Sequence, residues 1–246
     1  MTGRLLLGDC LDLLPEMTAG SVDLILTDLP YATTRNRWDS LIDPSRLWPE
    51  MLRVLKPAGA VAMTAQQPFT SALVMQQPKL FRHSWTWHKT TATGHLNAKR
   101  APMKAHEDVV VFCRRQPTYN PQKTSGHARK VSTVHHKRGS HTSSNYGEHG
   151  ATHYDSTERY PRSVITFATD KQRGGLHPTQ KPVALFEYLI RTYSDPGQLV
   201  LDVAAGSGTT ALAAINTGRA WACMEKDPAI YEQARRRIEA HDEVAA

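Results

Sequence analysis

Residues 199–227, LVLDVAAGSGTTALAAINTGRAWACMEKD, leave the chain few ways to fold. One apolar run, LVLDV, stops at two closely spaced glycines. Small and aliphatic residues follow, and a second apolar run, AWACME, ends in an acid. That is the pattern of strand, tight turn, helix and second strand, and two parallel strands need a crossover connection of this kind. Gly206 and Gly208 let the backbone approach a ligand, and the helix N-terminus beyond them offers N–H groups that lack a partner within the helix. Glu225 lies about twenty residues past the turn, where a carboxylate can accept hydrogen bonds from ribose hydroxyls. The dinucleotide fingerprint G-x-G-x-x-G is not met, because Ala211 stands where its third glycine would be.

The remaining pattern points to an α/β domain on a mainly parallel sheet. Strands are expected at residues 5–8, 22–27, 60–64, 84–88, 109–113, 199–203 and 220–225, and helices at 44–55, 182–193, 209–217 and 228–241. In the last helix Tyr231, Ala234 and Ile238 share a face, while Arg235, Arg236 and Arg237 mostly turn to water. Pro57 and Gly59, in KPAG, are expected to end the helix that starts at Pro44. Residues 117–171 differ: they are rich in Ser, Thr, His, Gly and bases, and only SVITF near their end reads as a strand. A long patternless segment inside a compact domain usually marks a functional insertion or disorder.

At 246 residues the chain can bury one substantial core, or a core with a small inserted module. No apolar run approaches the ~18 residues of a membrane-spanning helix. The opening MTGRLLLGDCLDLLPEM lacks the build of a secretory leader. Cys10, Cys113 and Cys223 are odd in number and scattered, which suits reduced thiols in a cytoplasmic compartment better than a disulfide framework. The net charge is +7, and between Asp108 and Glu148 there is no acid, only Arg114, Arg115, Lys123, Arg129, Lys130, Lys137 and Arg138 among the charged residues. Such a stretch suits a polyanion partner; a solvated basic loop is the competing reading. Six of the twelve histidines fall between His127 and His153, but their irregular spacing, with no cysteine or carboxylate cluster, predicts no metal site.

A second motif, TDLPY, follows the apolar run VDLIL. Asp28 and Pro30 are ordinary turn formers, but a turn does not need Tyr31. A third, HPTQKP, lies upstream of the glycine turn, and a fourth, GDCLDLL, lies near the start of the sequence. In this order the motifs resemble those of the β-class amino DNA methyltransferases, whose catalytic motif is usually D-P-P-Y or S-P-P-Y and precedes the cofactor loop. The resemblance implies a Rossmann-like methyltransferase fold, with a mainly parallel twisted sheet, helices on both faces and permuted motif order. Residues 1–117 and 171–246 would be its catalytic and cofactor-binding halves, with 118–170 an inserted target-recognition region.

The resemblance also implies S-adenosylmethionine as cofactor, held by Asp9, Cys10, His177, Thr179, Lys181, Asp202, Ala204, Gly206, Ser207, Gly208, Thr209, Thr210 and Glu225. Asp9 would sit at its adenine, and Thr179 and Lys181 at its carboxylate. Double-stranded DNA is the implied partner, met by Arg35, Arg37, Asn97, Arg100, Arg129, Lys130, Lys137 and Arg138. A cognate restriction nuclease and the oligomeric state are left open.

The chemistry is coherent. An exocyclic amine is a poor nucleophile because its lone pair is delocalised into the ring. A carboxylate (Asp28) and a backbone carbonyl (Leu29) accepting its two N–H bonds would draw the nitrogen toward sp³, while Tyr31 stacks on a base flipped out of the duplex. Leu29 replaces the family's first proline and loses that residue's fixed φ while keeping the carbonyl. Aspartate leading the motif, with Pro30 and Tyr31 closing it, leans toward adenine N6. Cytosine N4 is the alternative, and a DNA-binding module without turnover is the alternative of another class.

Overall fold

A computed structural model of the chain describes residues 3–31, 41–132, 154–169 and 180–245. Arg35, Arg37, Lys137, Arg138, His177 and Thr179, like every histidine between His127 and His153 other than His127 itself, lie outside the described residues.

The chain divides into two compact units, residues 1–120 with 163–246, and residues 121–162. In the first unit eight strands form one sheet: β1 (Gly3–Leu7), β2 (Val22–Thr27), β3 (Leu55–Ala65), β4 (Phe81–Thr93), β5 (Lys104–Phe112), β8 (Val164–Phe167), β9 (Leu199–Asp202) and β10 (Ala220–Glu225). Their spatial order is β1-β10-β9-β2-β3-β5-β4-β8. β1, β10, β9, β2 and β3 are mutually parallel, β5 runs against both β3 and β4, and β8 is parallel to β4. Seven of these strands thus point one way, so most of the loops at their C-terminal ends gather on one edge.

Burial explains the pattern. All six residues of β2 are buried, as a central parallel strand covered on both faces requires. In β3, Ala60 and Ala62 face the core shared with α4 (Val183–Tyr193), α5 (Thr209–Thr217) and α6 (Pro228–Ala245). Val61 and Met63 face the opposite core, shared with α1 (Cys10–Leu13), α2 (Pro44–Val54) and α3 (Phe69–Gln76). The period-2 alternation of one strand thereby divides the two cores of a three-layer structure.

Two sequence expectations need correction. The helix from Pro44 ends at Val54, before KPAG, because Leu55 is already extended and Lys56 is disfavoured from helix by the following proline. KPAG instead lies within β3 as an irregularity, the register jumping from Val22↔Leu55 to Leu24↔Ala60. Arg237 is half-buried rather than solvated, as described below. Two helices were also missed, as was the short strand pair at 130–132 and 154–156. α1 has only four residues, and α3 carries apolar side chains with little one-sidedness.

In the second unit β6 (Lys130–Ser132) pairs antiparallel with β7 (Tyr154–Ser156). Arg129 donates to both carboxylate oxygens of Asp155 at 2.7 and 2.5 Å, and Lys123 pairs with Glu158 at 3.0 Å. No helix among the described residues is long and apolar enough to cross a membrane. All three cysteines are free and buried.

Candidate active site

Strand adjacency brings the sequence motifs together. β1, β10, β9 and β2 are consecutive parallel neighbours, so Gly8–Asp9, Glu225, the glycine turn and Asp28–Tyr31 all leave the same edge of the sheet. Open α/β sheets bind ligands at that edge. Gly8 N–H donates to the Glu225 carbonyl at 2.9 Å, joining the first two. Thr27 Oγ1 donates to Asp202 Oδ1 at 2.7 Å, joining the last two across 175 residues of sequence.

Asp202 serves the loop itself. Its Oδ1 also accepts from Ala204 N–H at 3.0 Å, and Oδ2 accepts from the Thr210 hydroxyl. Burial pushes its carboxyl up to about 6, against those hydrogen bonds. The two glycines have different duties. At Gly206 (φ +52°) an added Cβ would meet no atom within 4 Å, so the turn opens onto empty space. At Gly208 (φ +77°) it would come within 3.2 Å of Ile238 and 3.4 Å of Ala234, so this glycine lets α6 pack against the loop. Arg237 braces the turn from α6, with Nη1 donating to the Ser207 carbonyl at 2.9 Å and lying 3.1 Å from Ser207 Oγ and 3.2 Å from Thr209 Oγ1. Glu225 is fixed by two backbone donors: Gly206 N–H to Oε2 and Asp227 N–H to Oε1, each 2.9 Å. Its burial raises the carboxyl pKa, and those bonds oppose the rise. Asp9 caps α1 through Leu11 N–H at 2.9 Å, and burial pushes the adjacent Cys10 thiol up to about 12.

On the β2 side, Asp28 sits in a chain of alternating charge. Tyr31 Oη donates to Asp28 Oδ1 at 2.6 Å, and the Thr64 hydroxyl donates to the same oxygen. Lys181 Nζ lies 2.9 Å from Asp28 Oδ2 and 3.2 Å from Glu107 Oε2. The second of these contacts lacks hydrogen-bond geometry. Glu107 Oε1 in turn accepts from Lys89 Nζ at 2.5 Å. Burial works against a protonated Lys181, but Asp28 and Glu107 hold its pKa above the ordinary lysine value. The Tyr31 phenol is pushed well up, first by burial and then by Asp28. Its ring centre is 5.0 Å from that of Phe69, tilted by 35°. Leu29 is buried in the core on the α1–α3 side.

These groups line one cavity of about 900 Å³, with Asp28–Tyr31, Glu107 and Lys181 on one side and Asp9, Ala204–Ser207 and Glu225 on the other. Thr93, Gly94 and His95 also line it. Asn97 and Arg100 are exposed on the loop that follows, while Arg129 and Lys130 are exposed in the second unit. Sequence reading missed Lys89 and gave Glu107 no role. A signal existed for the lysine: Trp85, Trp87 and Lys89 alternate along β4, and all three are buried. Among the described residues no group of three or more His, Cys, Asp or Glu could hold a metal ion.

A mainly parallel sheet with one antiparallel strand, a glycine loop after one strand and an acid after the next defines a Rossmann-like methyltransferase fold. The solved cytosine-N4-specific PvuII DNA methyltransferase superposes with a TM-score of 0.67 at 18% identity, covering 99% of this chain and 91% of that one. The type II methyltransferase M.HpaI of Haemophilus parainfluenzae is 28% identical, over 97% of this chain and 75% of its own length. The DNA adenine methyltransferase YhdJ of Escherichia coli (strain K12) is 30% identical, over 94% of this chain and 81% of its own. The sequence profile of the DNA methylase family, which groups N6 and N4 amino-methyltransferases, matches residues 22–236. The chain therefore belongs to that family of S-adenosylmethionine-dependent DNA methyltransferases, in its β-class motif order.

Proposed function

We propose that the chain transfers a methyl group to the exocyclic N6 of adenine in double-stranded DNA, on a base turned out of the helix. The observation that carries this reading is Asp28, held at the end of β2 beside the glycine loop of β9 and lining the same cavity. The aspartate that opens the motif and the likeness to an adenine methyltransferase support adenine. The fold of a cytosine-N4 enzyme supports N4 methylation as the second reading, since the same carboxylate can grip either amine.

The cavity suits the cofactor. Gly206 presents open space rather than a side chain, Glu225 is fixed with acceptor capacity to spare for ribose hydroxyls, and Cys10, Met224 and Ile230 supply apolar walls for a purine. When bound, S-adenosylmethionine supplies an electrophilic methyl on a sulfonium. The chain's residues hold the acceptor. A carboxylate has about four acceptor directions; Tyr31, Thr64 and Lys181 take three on Asp28, leaving one for an amine N–H. The Leu29 carbonyl takes the second N–H, and Tyr31 offers its ring to the base. Lys181, 2.9 Å from Asp28 Oδ2, fixes the orientation of the carboxylate that accepts from the amine. Positioning of this kind supplies several kcal/mol of a barrier. The inserted region around residues 118–170 would read the target, and the type II relative supports a partner nuclease in the same cell.

The test is expression in a host lacking DNA methylation, with long-read sequencing for modified positions and mass analysis of the nucleosides. N6-methyladenine at a defined sequence is expected from the natural chain and none from Asp28→Ala. N4-methylcytosine would select the second reading, and transfer by Asp28→Ala would overturn the mechanism.

A further inference from the structure

The β4–β5 hairpin carries a feature that neither the fold nor the grip on the amine requires. Between Thr93 and Lys104, the last registered pair, ten residues (94–103) project from the sheet edge on which the cavity opens. Every one of them is exposed, Leu96 at 89% and Met103 at 42%. Single exposed leucines are common and need no explanation. This one differs in three respects.

It is held rather than loose. Gly94, at φ +89°, starts a single 3-10 turn, His95–Asn97, closed by Asn97 N–H to the Gly94 carbonyl at 3.0 Å and Ala98 N–H to the His95 carbonyl at 3.1 Å. Two further bonds, from Arg100 and Ala101 N–H to the Asn97 carbonyl at 2.8 and 3.0 Å, brace the far side. It stands at the mouth of the site, because Thr93, Gly94 and His95 line the cavity that holds Asp28. It is also surrounded by one sign of charge. Lys99, Arg100 and Lys104 flank it, and no acidic residue occurs between Lys89 and His106. Lys104 is tied at 3.1 Å to Gln66, another cavity residue, which fixes the base of the hairpin to the site.

A rigid apolar tip among cations, at the entrance to a base-sized cavity, matches a nucleic-acid duplex and not a second apolar protein surface. The cations answer phosphates, and the leucine needs a stack of aromatic rings to enter. We propose that Leu96 is a wedge that enters the DNA stack and occupies the gap left when the target base leaves it, with Lys99 and Arg100 on the flanking phosphates. The inference rests on the methyltransferase reading and extends it to the step before chemistry. Leu96 touches no reacting atom and is a positioning residue. Burial of a leucine between bases that would otherwise collapse together favours the extruded state on the order of tenfold.

The test uses the full chain, the sequence it is found to methylate, and two duplexes. In one the target base is paired; in the other it faces an abasic site, so that no pair has to open. Leu96→Ala should lower kcat/KM on the order of tenfold on the paired duplex and by less than about twofold on the other. Leu96→Met should stay close to the natural chain on both, since any flexible apolar tip can enter a stack. Equal losses of Leu96→Ala on the two duplexes, or no loss on either, overturn the wedge while leaving the methyltransferase reading intact. A natural chain for which no methylated DNA sequence is found overturns that reading and the wedge with it. Loss of a dimer rather than of methylation in Leu96→Ala would mean that the tip docks a second copy, and also overturns the proposal.

Discussion

Replacing Lys181 with methionine tests the charge chain around Asp28 most directly. The substitution keeps the length of the side chain and removes only the cation. Lys181 Nζ lies 2.9 Å from Asp28 and 3.2 Å from Glu107. At an effective dielectric of ~20 each contact is worth about 5 kcal/mol before desolvation. The lysine side chain is only 9% exposed, so its desolvation cancels much of that, whereas the Asp28 side chain, at 25%, can recover some hydration when abandoned. The net loss should fall near the low end of the range for breaking buried pairs, about 3 kcal/mol. The pH dependence is fixed in sign. Because the Lys181 pKa is raised on folding, the pair's contribution is full below the ordinary lysine value of 10.5 and is lost only as pH rises through the folded value. The penalty in Lys181→Met should therefore be present across neutral pH. It should be the same on acidification to about pH 5, well below the lysine range. Urea unfolding of both proteins at about pH 8 and about pH 5 measures this. Single-turnover methylation should fall on the order of 10²-fold, the cost of a reacting group about 1 Å out of place. Equal stability at pH 8 together with an unchanged rate would refute the assignment of Lys181 to Asp28 and return the residue to a role with the cofactor alone.

Two further predictions follow from the loop. Gly206→Ala and Gly208→Ala should separate binding from folding: both place a side chain at positive φ, but at Gly206 the new methyl meets no neighbour, so cofactor affinity measured by calorimetry falls with only the backbone strain, about 1 kcal/mol, lost in stability. At Gly208 it strains the backbone and presses on Ile238, costing about 1–3 kcal/mol in urea unfolding. The Asp202 carboxyl, raised from 3.8 to about 6 by burial, contributes stability that is fully present below the unfolded value and is lost as pH rises through the folded one. The stability of the natural chain relative to Asp202→Asn should accordingly drop by about 2 kcal/mol between about pH 4 and pH 7, and a flat difference would refute that burial.

The legible parts of the sequence share a cause. The helix over 209–217 is observed as Thr209–Thr217, and β2 and β10 run over the residues expected, because each is bounded by glycine or an acid and its apolar content reflects full burial. KPAG was misread because proline and glycine mark a break without saying whether helix or strand contains it. Arg237 was misplaced because helical spacing describes where the Cβ points, whereas a long side chain can lie back along the helix to reach Ser207. The Lys89–Glu107–Lys181–Asp28 chain was illegible for a deeper reason. It joins β4, β5, the start of α4 and the end of β2, so it depends on strand order and register, which no local pattern carries.

The same dependence on strand order explains why the motifs can appear in the chain in an order that looks scrambled. Thr27 and Asp202 meet because β2 and β9 are neighbours in the sheet, and that contact is indifferent to which strand is made first. Glu225 reaches the glycine turn because β10 is the next strand after β9 and parallel to it. A site assembled from the ends of parallel strands requires only that the strands keep their places, so cutting and rejoining the chain through loops at the opposite edge leaves it whole. What such a rearrangement cannot preserve is anything carried within one connection. The β4–β5 hairpin and the second unit are of that kind, both lying between the catalytic motif and the cofactor loop in sequence. Relatives with a different motif order should therefore share the Asp28 and Glu225 geometry while differing in these two segments, which is where differences in DNA handling would be built.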